Sequence, residues 1–112
     1  MTATQLLNMV VDLTVTDPWA FGTECGDGPF RGKVIDTSSD ALAIRLEAPL
    51  RFQGMQLVTV IVRPRHTGES TDVLITARRL AANLLFLTSS VTSLGALKRS
   101  EDGVAAIGTA TV

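Results

Sequence analysis

Cysteine, histidine and charge are all scarce in this chain, and each scarcity excludes something. A single cysteine, Cys25, leaves no partner for an intrachain disulfide and fits a reducing cytoplasm better than a stapled secreted fold. With His66 as the only histidine, a zinc site would have to be built largely from carboxylates, and these show no ligand spacing. Charged residues make up 19% of the chain and the net charge is −1, so no broad attraction to nucleic acid or to an anionic membrane is expected. Long apolar runs are missing too. LVTVIV from Leu57 and LLFL from Leu84 are far short of the roughly 20 residues that cross a bilayer. The stretch MTATQLLNMVVDLTV has no basic start and is interrupted by Asp12, unlike a signal peptide. The expectation is a soluble cytoplasmic protein without a cofactor.

What the chain does have is apolar and β-branched content. Hydrophobic residues are 46% of 112, which excludes disorder and sets the scale of one domain, residues 1–112. Val, Ile and Thr together supply 30 residues, which favours strands over a helical bundle. So small a domain has a limited interior, so part of this apolar content must lie outside unless something covers it.

Alternation places the strands. Val10–Thr16 sets Val11, Leu13 and Val15 against Asp12, Thr14 and Thr16. Asp17 and Pro18 end it, and a long glycine-rich loop from Trp19 to Phe30 follows, with Thr23 and Glu24 as a possible short strand. Strands at Phe30–Asp36 and Ala41–Glu47 flank a TSSD turn, and Ala48-Pro49 reads as the next turn. The strand Gln56–Arg63 is apolar on both faces, so it is either central or covered on its outer side. Pro64–Thr71 reads as a loop, Val73–Arg79 and Asn83–Thr88 as a hairpin, Ser90–Arg99 as a short helix, and Gly103 to the end as a last strand with Gly108 a possible bulge. The predicted fold is all-β: a small barrel of about seven mostly antiparallel strands with at most one short helix.

Candidate chemistry is sparse. Cys25 and His66 invite comparison with a nucleophile pair, but Glu24 and Asp27 beside Cys25 would raise the thiol pKa, and a small buried hydrophobe is the plainer reading. Asp36, Asp40, Asp72 and Asp102 sit where turns need them. Eight of the ten basic residues are arginine, the side chain suited to bidentate capture of phosphate or carboxylate. Arg51, Arg63, Arg65 and His66, with Arg78 and Arg79, form an anion site if strand register brings them together, and otherwise a scattered, solvated rim. Trp19, Phe21 and Phe30 share one loop, either as a recognition surface or as a lid folded into the barrel end.

The stretch Arg31–Pro64, RGKVIDTSSDALAIRLEAPLRFQGMQLVTVIVRP, resembles the middle strands of a PilZ domain, a small β-barrel family that binds cyclic dinucleotide. The family's D-x-S-x-x-G motif falls on Asp36 and Ser38, with Ala41 in place of the glycine. Its R-x-x-x-R signature is missing, and Arg31 is the only arginine ahead of Asp36. The resemblance implies a nucleotide-type anion held by Arg31, Asp36 and Ser38. The residues themselves suggest a non-enzymatic binding or protein-interaction module that self-associates, with Trp19, Arg51, Arg63, Arg65 and His66 as further contact candidates; a small-anion-binding barrel is the alternative.

Overall fold

The computed structural model describes residues 3–16, 19–64, 83–89, 94 and 103–112. Six strands form a closed antiparallel barrel in chain order: β1 (Val10–Thr16), β2 (Phe30–Thr37), β3 (Leu42–Phe52), β4 (Met55–Pro64), β5 (Asn83–Thr88) and β6 (Gly103–Thr111), with β6 pairing back to β1. Among the described residues the only α-helix is a single turn, α1 (Gly22–Cys25). The all-β barrel expected from composition and alternation is therefore present, with six strands among the described residues.

Strand alternation decides which residues fill the barrel. Leu13 and Val15, Leu42, Ile44 and Leu46, Val60 and Val62, and Leu85 and Leu87 point inward and are buried with Val34, Leu50 and Leu57. Each such side chain contributes about 1.5–3 kcal/mol. β6 contributes Val104, Ala106, Gly108 and Ala110 to the interior, and the small residues at 106, 108 and 110 make room for Trp19. A Cβ on Gly108 would collide with Val15 Cγ1 and come within 3.4 Å of Trp19 Cε3. Gly108 holds regular register opposite Asn83, so close packing rather than a bulge explains it.

Three local readings are corrected. Thr23 and Glu24 lie in the helical turn α1, whose Gly26 N–H donates to the Gly22 carbonyl, not in a strand. Ala48 and Pro49 do not turn the chain. They lie inside β3 at an irregularity between Arg45 and Leu50, where a proline without an N–H is tolerated. The turn comes four residues later, at Gln53 (φ 50°) and Gly54 (φ 81°), between the paired Phe52 and Met55. Two consecutive positive φ values in a two-residue loop suit the right-handed twist of the flanking strands. Finally, β5 pairs with β4 on one side and β6 on the other along its whole length. It has no edge left for the expected hairpin mate. Val73–Arg79 itself lies outside the described residues, as does Ser90–Arg99 apart from Leu94.

Candidate binding surface on the outer wall

The loop after β1 folds into the mouth of the barrel. Trp19 and Phe21 are buried in the core, Phe21 stacks on Phe52 with ring centroids 3.8 Å apart, and Trp19 Nε1 donates to the Gly26 carbonyl at 3.0 Å. Phe30 is half-buried against the same core. Trp19 thus occupies the lid position, with its ring turned away from solvent. Cys25 donates through Sγ to the Arg51 carbonyl at 3.4 Å. Burial and then the neighbouring Glu24 carboxylate push its thiol pKa up, which keeps it protonated and holds back nucleophilic attack.

The arginines do not converge. Arg51 pairs in register beside Gln56 and Arg63 beside Leu84; seven residues of β4 separate these levels, roughly 23 Å along the strand. Arg31 Nε donates to Asp12 Oδ1 at 3.1 Å, and Asp12 and Glu47 together raise the Arg31 pKa further. Arg65 and His66 lie outside the described residues, as do Arg78 and Arg79.

Asp36 and Ser38 are engaged locally. A one-residue shift in the β2–β3 register at Ile35 sends both Ile35 and Asp36 to the outer wall. Asp36 accepts the Thr37 N–H through Oδ1 and the Leu94 N–H through Oδ2, each at 2.9 Å. Ser38 Oγ donates to Asp40 Oδ1 at 2.8 Å and accepts the Asp40 N–H, closing the β2–β3 loop.

The outer wall divides into two halves. Across β3 and β4, Ala41, Ala43 and Ile61 are buried, with Ile35, Phe86 and Leu94 packed against them. Ile61 is 1% exposed in a single copy of the chain, so the second apolar face of β4 needs no partner to cover it. Thr59 Oγ1 and Arg63 Nε are also buried on this strand, both without a hydrogen-bond partner.

The half formed by β1, β2 and β3 is open. Val10 is 57% exposed, and Met9 and Leu7 just before it are 48% and 41% exposed. Val10 pairs with Lys33, and Lys33 pairs with Arg45, so one apolar residue and two cations stand side by side across three strands. These three, with Leu46 and Glu47, line an open groove of about 330 Å³. Sequence reasoning passed over Lys33 and Arg45 because they are twelve positions apart and each alone looks like an ordinary exposed cation. Only their register makes them neighbours.

Among the described residues no group of His, Cys, Asp or Glu is arranged to hold a metal, and no helix is long and apolar enough to cross a membrane. Fold and surface together define a closed six-stranded barrel with an aromatic loop folded into its core and, among the described residues, an open groove on its outer wall. Comparison with family models, curated proteins and solved structures finds no match.

Proposed function

We propose that the protein is a non-enzymatic binding module that works in the cytoplasm and self-associates through the open half of its barrel wall. The observation that carries this reading is the exposed run of Leu7, Met9 and Val10, the large hydrophobic side chains left uncovered among the described residues. A second copy lying across them would remove this surface from water, and a net charge of −1 opposes such an approach only weakly. Sedimentation tests it: the wild-type chain is expected to associate at micromolar concentration, and Met9→Lys with Val10→Asp to run as a monomer. A wild-type monomer at several hundred micromolar overturns the reading.

A second reading is a small-anion-binding barrel, and the specific observation in its favour is the Lys33–Arg45 pair. The residues that the PilZ resemblance points to, Arg31, Asp36 and Ser38, each already bond a neighbouring group. Calorimetry with a cyclic dinucleotide tests that version directly, and a flat titration rules it out.

A further inference from the structure

We propose that Lys33 and Arg45 form a two-point anion site on the outer wall of β2 and β3, selective for a small phosphate monoester whose apolar group rests on Val10. Residues directly opposite on antiparallel strands have Cβ atoms about 5 Å apart, and like charges in that relation are destabilising. Lys33 and Arg45 stand in that relation. The nearby cation Arg31 is held differently, by a carboxylate at 3.1 Å and the field of a second. Among the described residues Arg31–Asp12 is the one ion pair, and neither Lys33 nor Arg45 has a carboxylate within bonding distance. Between them they present two positive charges and several N–H donors to one groove.

Two charges match a phosphate monoester better than a single carboxylate. Arg45 supplies the planar fork that grips two phosphate oxygens, and Lys33 supplies a compact second charge. The exposed Val10 on the other side of Lys33 offers an apolar shoulder for the rest of the ligand. Glu47 shares the groove and works against an anion there, so it sets an upper limit on affinity. The described strands close into a barrel, and recognition at this groove falls to these side chains.

The site deepens the small-anion reading and shares its wall with the proposed self-association surface. The test therefore uses a Leu7→Ser, Met9→Ser background, which leaves every groove-lining residue in place, and its sedimentation is recorded without ligand. Amide chemical shifts are followed on titration with phenyl phosphate, inorganic phosphate and phenol. Phenyl phosphate is expected to saturate in the millimolar range and to bind roughly fivefold tighter than inorganic phosphate, with phenol not binding. Lys33→Gln with Arg45→Gln should weaken phenyl phosphate by at least about tenfold. Glu47→Gln should tighten it, and Val10→Ser should reduce the preference for phenyl phosphate over inorganic phosphate. A folded double-glutamine variant is expected, because removing a like-charged pair does not destabilise the sheet. Unchanged affinity in that variant, phenol binding as well as phenyl phosphate, or a flat phenyl phosphate titration each overturns the site. None of these outcomes alters the sedimentation result, so the two readings fail separately.

Discussion

The two halves of the outer wall are built from the same sheet and differ in what lies over them. Over β3 and β4, Ala43 and Ile61 are buried beneath Leu94, and Asp36 pins the Leu94 backbone at 2.9 Å. Over β1 to β3, the matching outward positions carry Val10, Lys33 and Arg45 and remain open. Strand pairing is regular across Val10, Lys33 and Arg45, whereas the covered half includes the register shift at Ile35 that turns Ile35 and Asp36 outward. Side-chain chemistry adds to this: small and apolar residues are readily covered by the chain's own segments, whereas burying two adjacent cations would cost their hydration.

The sharpest way to break this comparison is to remove a side chain from each half. Ile61→Ala is expected to cost about 2–5 kcal/mol in urea denaturation, as for any well-packed core position, while Val10→Ala should stay within about 0.5 kcal/mol. Equal effects would mean that the covered half is no true second core. Asp36→Ala leaves the Thr37 and Leu94 N–H groups without their acceptor and should cost about 1–3 kcal/mol, with faster hydrogen exchange at the Leu94 amide as the local readout. Thr59→Val works in the opposite direction. It removes a buried hydroxyl that has no partner and keeps the shape, so stability should be unchanged or rise by about 1 kcal/mol. The smallest effect belongs to the open half: Arg45→Glu turns a repulsive cross-strand pair into an attractive one and should add about 0.2–1 kcal/mol, read as a small rise in Tm that salt reduces.

The residues most legible in the sequence were those whose environment is set by near neighbours. The bounds of β1 follow from alternation in VVDLTVT, and the short apolar run NLLFLT, read as a strand, forms β5 over the same residues. The apolar surplus was also legible as a second covered surface on Gln56–Arg63. Its cover was not, since Leu94 reaches Asp36 across 58 positions of sequence. Pro49 misled because proline is a turn signal only where the strand ladder needs its N–H, and at the β3 irregularity the ladder does not. Thr23 and Glu24 misled because the β-branched Thr23 suggests a strand, whereas the chain there makes the helical turn beside Trp19 and Phe21, which are buried in the core.

By itself the sequence determined a strand-rich chain and the inward residues of its alternating strands, such as Leu13 and Val15 in β1 and Leu42, Ile44 and Leu46 in β3, because period-two alternation is a local property. Tertiary structure alone decided the closure of β6 onto β1, the covering of Ile61, and the meeting of Lys33 with Arg45. Each depends on register between strands, and a shift of one residue would turn those side chains to the other face.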